Sequence, residues 1–301
     1  MKGELESGRQ PFFFAVGFWK PHAHFNAPKK YWELYDPGDI QPPAPLHPPK
    51  DVPKIALHDG REISRAFKER PGGKPTAVDA LALRRGYYAA TSYVDAQVGK
   101  VLDELDRLGL RGSTIVVLWS DHGYHLGEKL ISGKNTLWDR STRVPLIFAG
   151  PGVTAGAKSR RPAELLDIYP TLVQLAGLPK KSGLEGLSLV PQLRDAEAPR
   201  DRPAITTHNH GNHGVRSESW RYIRYADGSE ELYDVRSDPN EWRNLAGDPQ
   251  MTGVLDEHRR WLPPRSAKPA PGSRHRILTY EDGVAVWEGE EIDPNDPVPE
   301  I

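Results

Sequence analysis

The sequence predicts an α/β domain followed by a small α+β domain with an antiparallel sheet, and three observations carry that prediction. Residues 114–119 and 144–150 are short, continuous apolar runs, the pattern of strands buried on both faces rather than of half-exposed ones. Ahead of the first run lies a long stretch with apolar residues at spacings of three and four, which reads as a helix leading straight into a strand, half of a βαβ unit. Around Arg200 the alternation of helix and strand gives way to hairpin signals.

Taken in order, residues 11–18 (Pro-Phe-Phe-Phe-Ala-Val-Gly-Phe) form another continuous apolar run and read as a buried strand. Between Tyr35 and Pro75 a proline-rich excursion, including Gln41-Pro-Pro-Ala-Pro-Leu-His-Pro-Pro49, excludes helix and inner strand and is expected to wrap the surface. Thr76 to Asp79 resembles a capping box for the long helix, whose stripe runs through Leu83, Tyr87, Thr91, Val94, Val98, Leu102, Leu105 and Leu108 to a stop at Gly109. Residues 162–177 predict a helix bent or begun again at Pro170 and stopped by Gly177. Further on, residues 215–225, Ala226-Asp-Gly228 and residues 231–235 predict a hairpin with an Asp-Gly turn, and residues 251–262 a helix covering one face of that sheet. The proline-rich and then acidic tail predicts an edge hairpin over residues 280–287 and a disordered end. The expected domains are residues 1–200, 201–263 and a tail of 264–301.

Composition narrows the chemistry. Forty basic against 41 acidic side chains in 301 residues give no electrostatic reason to expect nucleic acid as a partner. There is no cysteine, so disulfides, thiolate metal sites and cysteine nucleophiles are all excluded. No apolar run approaches the roughly 18 to 20 residues of a membrane span.

Candidate chemistry gathers where the apolar runs end. The run at 114–119 stops at Ser120-Asp121-His122-Gly123, and open α/β sheets bind ligands outside the carboxyl ends of their strands. An Asp and a His placed there suit a metal or an anion, although a strand-end turn capped by Asp fits the same dipeptide. His125, Glu128, Lys129 and Lys134 follow within a short polar loop. The run at 11–18 ends in the same way, at Trp19-Lys20-Pro21-His22, with His24 close behind. His208, His210 and His213 have no interleaved carboxylate, so a loop lining a cleft is preferred over a metal cluster.

Phe14-Ala-Val-Gly-Phe-Trp-Lys-Pro-His22, Ser120-Asp-His-Gly-Tyr-His-Leu-Gly-Glu128, Lys134-Asn-Thr-Leu-Trp138, Arg143-Val-Pro-Leu-Ile147 and Glu231-Leu-Tyr-Asp234 with Asp238-Pro-Asn-Glu-Trp-Arg-Asn-Leu245 resemble the sulfatases, in particular the iduronate-2-sulfatase-like branch. The resemblance implies an alkaline-phosphatase-like sandwich of mainly parallel sheet with helices, incomplete at its N-terminus, and a small C-terminal domain. It also implies hydrolysis of sulfate esters, on a sulfated carbohydrate, at a Ca2+ site. By resemblance Asp121 and His122 match calcium ligands, His22 the histidine near the bridging ester oxygen, and Lys134 the lysine on the sulfate; Lys20, His24, His125 and His213 are candidates to line the substrate pocket.

The departures are equally specific. The family's nucleophile is a formylglycine made in a Cys/Ser-x-Pro-x-Arg motif preceded by paired aspartates, and no Cys or Ser of this chain fits that pattern. The expectation is therefore a C-terminal part of a sulfatase, inactive alone, whose nucleophile and remaining calcium ligands sit on a missing N-terminal segment, together with any export signal. Lys129 and Ser132 stand where relatives often place His and Trp. A phosphate or phosphonate ester hydrolase of the same superfamily, and a non-catalytic remnant that binds sulfated glycans, are the alternatives.

Overall fold

The computed structural model describes residues 11–43, 47–57, 77–268, 270–272, 277–287 and 289–292. The chain divides into two compact units, Met1–Gln41 with Leu81–Leu105, and Pro42–Ala80 with Asp106–Ile301.

In the first unit a one-turn helix α1, Lys29–Trp32, packs on the long helix α2, Ala77–Arg107. The long helix is where the periodicity places it, and Gly109 ends it in the left-handed conformation, its N–H donating to the Asp106 carbonyl at 2.9 Å. The face it buries is not the expected stripe. Thr91 is exposed, whereas Gly86, Ala89 and Ala90 are buried. The reason is steric: a Cβ on Gly86 would lie 2.9 Å from Trp32 Cη2 and 3.2 Å from Phe25 Cβ, so the bulky partners come from the other segment and the helix supplies the hollow. Arg85 then donates to two carbonyls at and beyond the end of α1, Trp32 O at 3.0 Å and Tyr35 O at 2.8 Å. The capping box rests on Thr76 and the Asp79 side chain, which lie outside the described residues.

Residues 11–19 correct the sequence reading. They form no strand and are exposed, with Phe13 at 85%, Phe14 at 69% and Trp19 at 72% of full exposure. An apolar run becomes a buried strand only when a neighbour takes up its backbone groups, and no described residue does so here.

Every strand among the described residues lies in the second unit. β1, Val116–Trp119, pairs with β4, Leu146–Ala149, antiparallel, with Val116 opposite Ala149 and Trp119 opposite Leu146. A mainly parallel sheet was expected. All strand pairs among the described residues are antiparallel, and the only parallel pairing is an isolated bridge between Lys50 and Arg243. The physical reason lies in the connection: between β1 and β4 the chain makes the short hairpin β2 (His125–Leu126) and β3 (Ser132–Gly133) and a single turn α3 (Asp139–Thr142), not the crossover helix that parallel neighbours need. With one neighbour each, β1 and β4 are only half-covered, and Trp119 and Ile147 are exposed.

The helix predicted over 162–177 forms as a 3-10 turn, Leu165–Asp167, continued by α4, Ile168–Leu175, with Pro170 in its first turn, where no N–H is needed. Glu164 and Asp167 make a reciprocal capping box, and α5, Val190–Arg194, follows. The hairpin region is a four-stranded antiparallel sheet in the order β5 (Ala204–Thr207), β6 (His213–Arg216), β7 (Trp220–Arg224), β8 (Glu230–Asp234). The stretch 215–225 is thus two strands, because Ser217–Ser219 turns the chain and Ser217 exchanges hydrogen bonds with Trp220.

This sheet is covered on both faces, which is why consecutive residues Tyr222 and Ile223, and Leu232 and Tyr233, are all buried. On one side Val215, Tyr222 and Leu232 pack against Leu255 of α6, Thr252–Arg259, as predicted for the covering helix. On the other, Ile223, Tyr225 and Tyr233 meet Ile131, Leu137 and Trp138 from the 125–142 segment, and Leu278 and Trp287 from a hairpin of β9 (Leu278–Glu281) and β10 (Val284–Trp287). A short β11, Glu290–Glu291, pairs with β10. Ile55 and Ala56 also enter this core, so the proline-rich excursion anchors itself where a surface wrap was expected; His58 and the end of the tail lie outside the described residues. Among the described residues no helix is long and apolar enough to cross a membrane.

The exposed aromatic run generates a test. Replacing Phe13 and Phe14 by Ser should lower binding of an apolar-surface dye and self-association on a sizing column while leaving the melting temperature unchanged. An unchanged dye signal would mean that these rings are covered in solution.

Candidate functional site

In the first unit Lys20, His22 and His24 stand together in the turn that closes the apolar run. The Lys20 ammonium donates to the His24 carbonyl and, at 3.4 Å, to that of His22. A carbonyl only accepts, so the 2.6 Å contact between His22 Nδ1 and Ala23 O fixes the proton on Nδ1. The His22 ring lies 4.7 Å from that of Trp19, and both are exposed.

In the second unit Asp121 and His122 lie just beyond β1. Their loop is pinned by the Gly123 N–H, which donates to Ser141 O at 2.7 Å, and by the Ser120 hydroxyl, which donates to His122 O at 2.9 Å. Only glycine fits at 123, since a Cβ there would stand 2.1 Å from Arg140 O. His122 Nδ1 donates to Gly123 O at 2.8 Å, which turns Nε2 to within 3.5 Å of Asp121 Oδ2. A neutral imidazole nitrogen and a carboxylate oxygen that close repel unless a proton or a cation lies between them. Two ligands each about 2.4 Å from a calcium ion and at right angles to it stand about 3.4 Å apart, so the spacing suits a shared cation. Among the described residues no three His, Asp or Glu side chains are grouped closely enough to hold a metal. This pair supplies two donors and no more.

His125 is fully buried. Its Nε2 sits 3.0 Å from the Thr136 hydroxyl, which donates to Ser141 at 2.8 Å, so the histidine fastens its own loop to α3. Contact with a substrate would require that loop to open. Lys134 follows β3 and is half-buried. His213, on β6, is buried with Nδ1 2.9 Å from Thr207 Oγ1, and burial first, then His210, depresses its pKa. His208 is pushed down to about 4 by burial. His210 instead approaches Ala267 O at 3.2 Å, so the three histidines of the β5–β6 loop serve three different neighbours and do not converge.

What the sequence reading missed is the charge network that holds the Lys134 loop. Lys129 is buried in the left-handed conformation, its ammonium donating to Asn240 O at 2.6 Å and Glu241 O at 2.7 Å and facing the rings of Trp138, Trp242 and Tyr233 at 5.1, 5.4 and 6.0 Å. Glu241, also left-handed, accepts the Asp139 N–H and pairs with Arg221 Nε at 2.7 Å. Arg221 reaches Asp139 Oδ1 at 2.8 Å and Leu137 O at 3.0 Å. Glu231 accepts the indole N–H of Trp138 at 2.9 Å and the hydroxyls of Tyr225 and Tyr233. The only sequence signal was an acidic residue two before Tyr233 on the inward side of a predicted strand.

Burial raises the pKa of both Glu231 and Glu241, the latter to about 7 against the pull of Arg221 and Lys129. A carboxyl whose folded pKa exceeds its unfolded one binds more protons in the folded state, so its stabilisation is complete below about pH 4.5 and is lost as pH rises through about 7. Glu241→Gln should therefore flatten the fall in melting temperature between those pH values. Because it also breaks a buried pair, it should cost about 3–5 kcal/mol in urea unfolding. A variant with unchanged pH slope would remove Glu241 as the titrating group.

The family model described as "Sulfatase" matches residues 2–178, and that described as "N-sulphoglucosamine sulphohydrolase, C-terminal" matches residues 127–266. A sulfatase of Formosa agariphila is 39% identical over 278 residues, covering 90% of this chain and 53% of the relative. Iduronate 2-sulfatase of Mus musculus is 28% identical, covering 84% of this chain and 61% of the relative. A solved 2-O GAG sulfatase superposes with a TM-score of 0.60 at 25% identity, covering 84% of this chain and 52% of that one. The chain thus spans little more than half the length of these relatives.

Proposed function

The chain belongs to the sulfatase family of the alkaline phosphatase superfamily, and from that premise we propose that it takes part in hydrolysis of sulfate esters on a sulfated glycan, as the bearer of the leaving-group acid, a sulfate-holding lysine and part of a calcium site. The observation that carries this reading is the Asp121–His122 pair, two metal donors 3.5 Å apart at the end of β1 in a loop whose path only Gly123 permits. The glycan is supported by the relatives named iduronate 2-sulfatase and 2-O GAG sulfatase. With no cysteine in the chain, a formylglycine nucleophile would come from a segment outside this sequence.

A calcium ion held by Asp121 Oδ2 and His122 Nε2 with further ligands would supply positive charge opposite the sulfate oxygens. Lys134 adds a compact point charge to the same anion. His22 has a separate task. As the S–O bond breaks, the departing sugar oxygen takes up negative charge, and an imidazolium holding a proton on Nε2, with Nδ1 already committed to Ala23 O, delivers that proton to it. Lys20 holds the turn through the carbonyls of His22 and His24, which keeps the imidazole in one orientation. His24 and His213 are the proposed contacts to the rest of the substrate. His125, fully buried, is assigned to the loop instead.

The division of labour is testable by leaving group. In the assembled enzyme His22→Ala should slow sugar sulfates by about 10²–10⁴ and nitrophenyl sulfate far less, since a phenolate hardly needs a proton. Lys134→Ala should slow both alike, because holding the sulfate does not depend on the leaving group. Equal losses in the His22 variant would move His22 to sulfate binding. The chain by itself should show no turnover of nitrophenyl sulfate above the His22→Ala background.

Calcium should bind the isolated chain weakly, as two donors are a minority of the usual 6 to 8. Titration calorimetry showing a submicromolar site that Asp121→Ala abolishes would mean that the shell is completed within these residues.

A further inference from the structure

The second unit carries an open groove of about 330 Å³ lined by His47, Lys50, Trp242 and Arg243, none of which has a role in the ester cleavage described above. It is built by backbone. Lys50 N–H donates to Trp242 O at 2.8 Å, Asn244 N–H to Lys50 O at 3.3 Å, and Lys50 and Arg243 are partners in the isolated parallel bridge. Bridge partners project their side chains from the same face of the backbone about 5 Å apart, so two cations are set side by side. Neither forms an ion pair with a carboxylate of the described residues, although Asp51 follows Lys50 directly in sequence; Glu241 is paired with Arg221, and Asp238 accepts the backbone N–H groups of Trp242 and Arg243. Like charges opposite one another destabilise a pairing unless an anion is shared between them.

The remaining wall is aromatic. His47 stacks on Trp242 with centroids 4.4 Å apart and planes 25° from parallel, and the indole is held from within by the Lys129 ammonium at 5.4 Å. An anion-binding pair of cations beside a rigid flat wall suits a ligand that carries negative charge on a ring with apolar C–H faces. We propose that this groove binds an acidic sugar unit, one bearing sulfate, of a glycan chain. Lys50 and Arg243 take the anion and the His47–Trp242 stack takes the ring. The identity of the ligand rests on the glycan reading of the function, but the groove is read by binding and not by turnover.

The experiment is titration of the full chain with a heparin-derived tetrasaccharide, against the same tetrasaccharide with its sulfates removed, followed by calorimetry and by tryptophan fluorescence. Lys50→Gln with Arg243→Gln changes two exposed side chains and leaves every backbone bond of the bridge in place, so the melting temperature should not fall. Expected is binding of the sulfated form that weakens on the order of tenfold or more in the double variant and loses much of its salt dependence. Equal affinity in wild type and double variant overturns the site, as does absence of binding to wild type or equal affinity for the desulfated sugar. If the groove binds as expected while the assembled enzyme fails to desulfate any glycan, it is the functional reading that falls.

Discussion

The arrangement around the Lys134 loop depends on keeping Lys129, Asp139, Arg221, Glu231 and Glu241 out of water without leaving any of them alone. Each such charge would cost several kcal/mol if buried unpaired, and the mutual attraction offsets that cost only with good geometry and full hydrogen bonding. The network draws its partners from four separated segments, the 128–139 loop, β7, β8 and the turn at 238–241, and leaves Arg221 Nε ion-paired to Glu241 but without a hydrogen bond. Two of its members, Lys129 and Glu241, sit in the left-handed region, which costs a non-glycine residue about 1–2 kcal/mol each. That strain persists because the surrounding contacts fix both backbones.

Elements whose signal is local were legible in the sequence. The long helix, the restart near Pro170, the glycine stops at 109 and 177 and the helix over Leu255 all follow from periodicity and backbone chemistry within a few residues. What failed needed a neighbour. An apolar run such as residues 11–18 says that burial would be favourable, not that a partner strand is there, and β1 and β4 show the same gap between composition and coverage. The direction of pairing was inferred from a crossover that the chain does not make. Within 215–225 the turn at Ser217–Ser219 was missed because Val215 before it and Trp220, Tyr222 and Ile223 after it read as one strand.

The candidate site divides along the same line. Asp121 and His122 could be found because they are adjacent and stand where a strand stops. The Lys129–Glu241 contact spans 112 residues, and nothing in the spacing of a loop lysine and a turn glutamate announces that they meet. His125 was misjudged for a related reason: a polar residue in a polar loop reads as accessible, yet the Thr136–Ser141 hydroxyl chain draws it fully inside.

Gly123 shows what such close packing means for engineering. The backbone of α3 passes where a side chain at 123 would begin, so the position is closed to every other amino acid. A library that randomises the 120–124 loop would return glycine there whatever chemistry it selected for. New donors would have to enter elsewhere in the loop, and at Ser120 they would displace the hydroxyl that donates to His122 O. The geometry of one missing methyl group thus limits which metal sites this scaffold can be evolved to hold.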